Sequence, residues 1–243
     1  MTTLHMVELR PDLAALLYFL RDQGLETRDG DEDLGYGIHA WLGAAFGEQA
    51  PKPWRLFMDR RRPTRILGYS SVGAGRLRQR LQDFATPGVL AVCPEPDTAI
   101  LGKPMPTWRP GRRLAFELQC CPVGRKAASG VEKDLFLIRA DEGDSGEVRR
   151  DDVYCEWVRE RLERDGVATV TAISLAGFRL LRQTRRGQLS GGSRKRSQLV
   201  RPQALMRGEV VVNDADGFTE LLGHGIGRHR SFGYGMLLLG PAS

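Results

Sequence analysis

The densest concentration of chemically capable residues in this 243-residue chain lies near its end. In His224-Gly-Ile-Gly-Arg-His-Arg-Ser-Phe-Gly-Tyr-Gly235, four glycines (Gly225, Gly227, Gly233 and Gly235) alternate with Arg228, His229 and Arg230. Glycine lets the backbone approach a ligand closely and present its N–H groups, and phosphate is the ligand such groups suit. A tight turn ahead of a strand would use the same composition. The segment follows a helix pattern and precedes a strand pattern, the reverse of a dinucleotide or P-loop arrangement, and neither GxGxxG nor GxxxxGK[ST] occurs. No cofactor is expected.

A second concentration is basic. Between Asp165 and Glu209 there is no acid, and there are nine cations: Arg179, Arg182, Arg185, Arg186, Arg194, Lys195, Arg196, Arg201 and Arg207. The formal net charge of +6 is therefore unevenly spread: residues 1–165 hold 25 Lys+Arg against 26 Asp+Glu, and residues 166–243 hold 11 against 4. A local field of one sign attracts a polyanion and speeds its encounter. The competing reading is a solvated basic loop in a chain that prefers arginine throughout. Few aromatics interleave with these cations, which argues against base stacking as the main grip on single strands.

These segments need elements to hold them. Residues 3–9 alternate as a strand, residues 11–21 place Leu13, Leu16, Leu17 and Leu20 on one helical face, and an acidic linker runs over 22–33. A helix is predicted over 34–46, with Ile38, Leu42 and Phe46 at i, i+4 and i+8. Residues 54–58 and 64–69 form a hairpin around a basic turn (59–63), residues 76–84 a helix, and 89–92 and 98–101 short strands. Residues 94–110 hold five of the thirteen prolines and read as an extended connector. Beyond it come a strand at 113–119, a helix from 153 to about 164 capped by Asp151 and Asp152, and long strands at 172–181 and 204–212 that flank the basic segment. A short helix then begins at Asp214, and a strand covers 236–239. Each half has the order β, α, β, β, α, β. The expectation is an α+β fold of two tandem ferredoxin-like (RRM-like) βαββαβ domains, residues 1–107 and 108–243.

With 41% apolar and 27% charged residues, the composition is that of a globular chain. No apolar run approaches the roughly 18 residues of a membrane span, and the N-terminus lacks a signal-peptide pattern, so no membrane partner and a cytoplasmic location are expected. Cys93, Cys120, Cys121 and Cys155 form no CxxC pair, so neither a zinc site nor any other metal is expected, and the thiols read as buried.

The segment 208–239, from Gly208-Glu-Val-Val-Val through the glycine loop to Leu239, resembles the C-terminus of the CRISPR precursor-RNA processing endoribonucleases, in particular the CasE subunit of type I-E Cascade. Lys103-Pro-Met-Pro, Gly111-Arg-Arg-Leu-Ala-Phe-Glu-Leu and the helix with Trp157 and Leu162 extend the resemblance, which covers most of the chain. It implies tandem ferredoxin-like domains that bind a CRISPR repeat stem-loop and cut at the 3′ base of the stem without a metal. The ribose 2′-OH attacks the adjacent phosphate and leaves a 2′,3′-cyclic phosphate and a 5′-OH. It also implies other subunits of a guide-RNA complex as partners. A binding module that holds the crRNA 3′ handle without cutting is the alternative.

In CasE-like enzymes the histidine stands three residues after a tyrosine on the first helix, and Tyr36-Gly-Ile-His39-Ala-Trp-Leu42 matches that pattern. By resemblance, His39 and Tyr36 are the catalytic pair; on a helix, i and i+3 share a face. Gly35 and Gly37 weaken that helix by roughly 1 kcal/mol each. The segment 11–33 is inserted relative to CasE. Type IV processing subunits rely on arginines instead, which keeps Arg21 and Arg28 in play. His229 is a third candidate, matching more closely an RNA-backbone contact together with Gly225, Gly227, Arg228 and Arg230, and His5 and His224 read as structural. The basic hairpin occupies the place where the family grips the stem, and Arg194, Lys195 and Arg196 are candidates for the cation at the scissile phosphate. A-form RNA hides its base edges, so such recognition goes through phosphates and shape.

Overall fold

The computed structural model describes residues 3–25, 34–59, 61–125, 132–142, 148–190 and 193–242, with backbone alone over 182–199. Arg28 and most of the acidic linker lie outside the described residues. The first half runs β1 (His5–Leu9), α1 (Leu13–Asp22), α2 (Gly35–Phe46), β2 (Trp54–Asp59), β3 (Arg62–Ser70), α3 (Ala74–Phe84), α4 (Pro87–Leu90), α5 (Pro96–Ala99) and β4 (Ile100–Pro104). Its antiparallel sheet has the order β2-β3-β1-β4, which is the ferredoxin-like order.

Local chemistry accounts for the helices. Asp12 accepts the Ala15 N–H at 2.9 Å and so caps α1. Ile38, Leu42 and Phe46 of α2 are all buried, as their spacing requires. On α1 the buried face is Leu16, Phe19 and Leu20, whereas Leu17 is exposed. Gly37 explains why α2 tolerates a poor helix former: a Cβ there would lie 2.5 Å from Leu20 Cδ1, so the glycine lets α1 pack directly on α2.

Two expectations fail in this half. Residues 89–92 form no strand; α4, with Pro87 in its first turn, covers Pro87–Leu90, and the Val89 carbonyl accepts Trp41 Nε1–H at 3.2 Å. The expected strand at 98–101 is displaced, since residues 96–99 are the helical turn α5 and the strand begins at Ile100. It continues to Pro104, inside the proline-rich stretch expected to be a connector. An edge strand tolerates proline because one side of it has no ladder to supply.

The second half runs β5 (Arg113–Cys120), β6 (Val123–Arg125), β7 (Glu132–Asp134), α6 (Leu135–Asp141), α7 (Arg150–Leu162), β8 (Ala168–Ser190), β9 (Ser193–Val212), α8 (Ala215–His224) and β10 (Leu237–Pro241). The sheet order β10-β5-β9-β8 repeats that of the first half, with β6 and β7 as an added hairpin. Asp151 and Asp152 sit inside the first turn of α7, where they complement the helix dipole, and not ahead of it as a cap. Asp214 does cap α8, accepting the Asp216 N–H. The strands flanking the basic segment run much further than expected: β8 and β9 pair antiparallel from Ala168 opposite Val212 to Ser190 opposite Ser193, with register shifts at Val170/Ala172, Leu175/Gly177 and Arg186/Leu189.

The halves are joined at their sheets. Tyr69 of β3 is buried and donates its hydroxyl to the Leu237 carbonyl at 2.8 Å. Arg55 of β2, 8% exposed, pairs at 2.7 Å with Glu117 of β5, which also accepts from Arg207 at 2.7 Å. Burial alone would raise the Glu117 pKa; the hydrogen bonds from Arg207 and Arg55 outweigh it and hold the carboxyl below its usual range.

Candidate functional site

All four glycines of the loop have positive φ: 71° at Gly225, 79° at Gly227, 89° at Gly233 and 79° at Gly235. A Cβ would fall 2.7 Å from Pro53 at Gly225, 2.7 Å from Trp157 at Gly227 and 3.0 Å from Trp54 at Gly233. The close approach these glycines permit is therefore made to protein. The N–H groups of Gly225, Ile226 and Gly235 go to the carbonyls of Leu221, Gly235 and Gln119, each at 2.8 Å. Trp54 Nε1 completes the staple by donating to the Ser231 carbonyl at 3.1 Å. The loop is thus a rigid wedge between the two halves, with Phe232 at its turn.

Around Phe232 the two halves meet. The Tyr36 ring lies parallel to that of Phe232 with centroids 6.1 Å apart, and the His39 ring meets it edge-on at 5.0 Å. Tyr36 and His39 remain exposed on one face of α2. No described residue hydrogen-bonds the His39 ring. Partial desolvation lowers its pKa, and the Lys52 ammonium lowers it further. At neutral pH the imidazole is mostly unprotonated, the form a base requires.

Lys52 was not singled out by its sequence context. It is exposed, and its loop is held by the Lys52 N–H to the Tyr69 carbonyl at 2.8 Å and by the Tyr69 N–H to the Pro53 carbonyl at 3.0 Å. No carboxylate among the described residues pairs with its ammonium.

Below Phe232 lies a second cluster. His229 has left-handed backbone (φ 62°) and a side chain 11% exposed, and its centroid is 6.2 Å from that of Phe232. Its Nε2 is 3.0 Å from Glu132, which also takes Arg201 at 3.0 Å and Arg228 at 2.8 Å. The Arg201 guanidinium reaches Nδ1 at 2.7 Å. Burial first, and then the Arg201 charge, lower the His229 pKa, against the raising effect of Glu132. Glu132 is delivered by β7, which Arg150 anchors: this guanidinium bonds Asp134 and the Tyr154 hydroxyl and lies between the rings of Phe136 (4.1 Å) and Phe178 (4.2 Å).

A family model described as "CRISPR associated protein" matches residues 6–241. The chain belongs to that CRISPR-associated family. Among the solved structures that share its fold are three that follow. One is of CRISPR endoribonuclease Cse3 bound to a 19-nucleotide RNA: TM-score 0.66, 20% identity, 98% of this chain and 100% of that one covered. Another is Thermus thermophilus Cse3 bound to an RNA representing a pre-cleavage complex, with TM-score 0.59, 20% identity and the same coverage. A chain of a CRISPR RNA-guided surveillance complex matches with TM-score 0.51 at 16% identity, again over 98% of this chain and 100% of that one. No curated protein matches.

Within this CRISPR-associated chain the residues expected to bind RNA divide into groups. Arg201 is 8% exposed and, with Arg228 and His229, is paired to Glu132. Arg230 donates to the His224 carbonyl. Arg179 is exposed on β8, and with the Gln203 amide turned so that its oxygen faces the guanidinium, it donates from Nε at 2.9 Å and from a terminal nitrogen at 3.0 Å. Arg182, Arg185, Arg186, Arg194 and Arg196 have their backbone in the β8–β9 ladder, with Arg182 opposite Val200 and Arg186 opposite Arg196, and Lys195 falls at a register shift; their side chains lie outside the described residues. Arg21 is exposed in the last turn of α1. His224 is exposed and bonds the Glu220 carbonyl through Nδ1, while the Nδ1 of His5, beside Gly73, is buried. Cys93, Cys120 and Cys121 are buried and Cys155 is half-buried. No helix of the described residues is long and apolar enough to cross a membrane.

Sequence reasoning missed Phe232, Lys52 and Glu132. Phe232 lay inside the quoted loop; Lys52 and Glu132 gain their places only from long-range folding.

Proposed function

We propose that this chain is a metal-independent endoribonuclease that cuts CRISPR precursor RNA at the base of its repeat stem-loop. It then keeps the 3′ handle of the product, as a subunit of a guide-RNA complex in the cytoplasm. The observation that carries the reading is the meeting of Tyr36 and His39 with the glycine loop across Phe232, beside a long basic hairpin and a lysine that pairs with no carboxylate among the described residues. The relatives of the same fold that hold RNA support it.

His39, neutral at pH 7, takes the proton from the ribose 2′-OH. The 2′ oxygen bonds to phosphorus, the bond from phosphorus to the 5′ oxygen breaks, and the Tyr36 hydroxyl gives the leaving oxygen its proton. The products are a 2′,3′-cyclic phosphate and a 5′-OH. A positioned base is worth roughly 10²- to 10⁴-fold. Lys52 faces the charge that builds on the phosphate oxygens; the α2 helix carries no cation of its own to do so. Arg179 and the outer hairpin hold the stem through its phosphates.

Purified protein incubated with repeat RNA in EDTA tests the reading. The expected outcome is one cut, with a cyclic phosphate on the upstream fragment. RNA that is bound and stays whole identifies a non-cleaving subunit instead, and a cut that appears only when magnesium is restored contradicts the metal-free chemistry.

A further inference from the structure

The basic turn of the β2–β3 hairpin has no part in the site described so far. We infer that Arg61 and Arg62, with Arg65 behind them, form a second RNA-backbone contact, on the first half of the chain at the outer end of the β2–β3 hairpin. This rests on the RNA-processing reading.

Arg61 and Arg62 are exposed, and no carboxylate among the described residues lies within ion-pair distance of either. The Asp59 carboxylate accepts the Arg61 N–H at 2.8 Å. Behind it, the Phe57 ring is held between two guanidinium groups, Arg55 at 4.8 Å and Arg65 at 5.1 Å, which stiffens the hairpin and fixes Arg65. A hollow of about 470 Å³ opens among Phe57, Arg61, Arg62 and Arg65, and Asp59 is the only acid lining it. Its carboxylate is already engaged by the turn.

The position of the turn points to its ligand. β2 starts at Trp54, which is bonded to the glycine loop, and runs outward to Asp59, about 17 Å at the usual rise of a strand. On the way Met58 lines a cleft of about 290 Å³ together with Arg179 and Leu181 of β8. On the other side of that cleft the β8–β9 segment holds no acid between Arg179 and Arg207, so its charged residues there are all cations. The arginines lie beyond that cleft, at the outer end of the hairpin, and like charges on neighbouring hairpins repel each other unless a polyanion bridges them. Arg61, Arg62 and Arg65 line the hollow beside Phe57, Met58 and Pro63, so a ligand there meets three guanidinium groups and one acid.

The test uses the full chain and a repeat stem-loop RNA, with affinity measured between 50 and 200 mM KCl. Each lost phosphate contact reduces the slope of log K against log salt by about 0.7 to 0.9. For Arg61→Gln with Arg62→Gln the expected slope is shallower by about 1.5, so the loss of affinity over that salt range shrinks by roughly tenfold. Arg61→Lys with Arg62→Lys should restore most of the wild-type slope. An unchanged slope in the glutamine variant, with wild type binding and cutting normally, overturns the inference and leaves the proposed function standing. Normal RNA binding by that variant with failed assembly into the larger complex also overturns it, and assigns the turn to a protein. If wild type itself does not bind the RNA, both readings fall.

Discussion

His39 and His229 approach the ring of Phe232 from opposite halves of the chain, with centroids 5.0 and 6.2 Å away, and their surroundings differ in kind. His39 stands on the exposed face of a helix, with no described hydrogen-bond partner and a lysine nearby. His229 is nearly covered, and both of its nitrogens are engaged, one by Glu132 and the other by Arg201. Both rings have lowered pKa values, burial being the first cause in each. The shift alone therefore does not tell a base from a strut. The partners do: a proton acceptor needs an open nitrogen, and a strut needs none.

The largest effect should come from His39→Ala, which removes the base and is expected to slow cleavage by roughly 10²- to 10⁴-fold. RNA affinity and unfolding temperature should change little, as a gel-shift titration and a thermal melt would show. The opposite pattern is expected of Glu132→Gln, which leaves Arg201 and Arg228 without their acid. Because the carboxylate is partly open to solvent, the cost is discounted to about 2 kcal/mol, a fall of about 4–8 °C in unfolding temperature for a chain of this size. Cleavage at saturating RNA should suffer less than in His39→Ala. If the melt does not move, the cluster below Phe232 is not a strut.

Smaller still is Lys52→Gln. Losing one exposed cation should cost about tenfold in rate, and it should raise the His39 pKa toward 6.5, shifting the acid limb of the rate profile to higher pH. A profile that stays in place would remove Lys52 from the neighbourhood of the base. The smallest effect is the pH dependence of stability through His229. Its folded pKa lies below the unfolded value, so its contribution is present above about pH 6.5 and is lost as pH falls through the folded value. Glu132 and Glu117, both held below the usual carboxylate range, lose theirs only at more acid pH, below about 4.5. His229→Gln should flatten the first window and leave the second, which melts in steps from pH 7.5 to 3.5 would resolve.

What was legible beforehand follows the same division. Local patterns carried the repeated element order, the helix holding Tyr36 and His39, the hairpin and the glycine loop, because each is written in residues a few positions apart. The helical turn at Pro87–Leu90 was missed since a four-residue apolar run suits a strand as well, and only Trp41 seeking the Val89 carbonyl decides it. Glu132 sits in a polar stretch with no periodicity and meets partners 69 to 97 residues later in the chain. Lys52 reaches His39 through a turn, not through helical spacing. The glycine composition pointed to close approach to a ligand, whereas the groups a Cβ would meet in the structure are Pro53, Trp54 and Trp157, which composition could not name.

The central claim, that His39 is the base, is tested most directly by single-turnover cleavage rates of wild type and His39→Ala from pH 4.5 to 8.5 in EDTA. The account predicts a wild-type rate that rises through an inflection below pH 6.5 and then levels, and a His39→Ala rate that is at least about 10²-fold lower on the plateau and lacks that inflection. A variant that keeps both the plateau rate and the inflection would contradict it, and would turn the search for the catalytic groups to Arg21, Arg28 and His229.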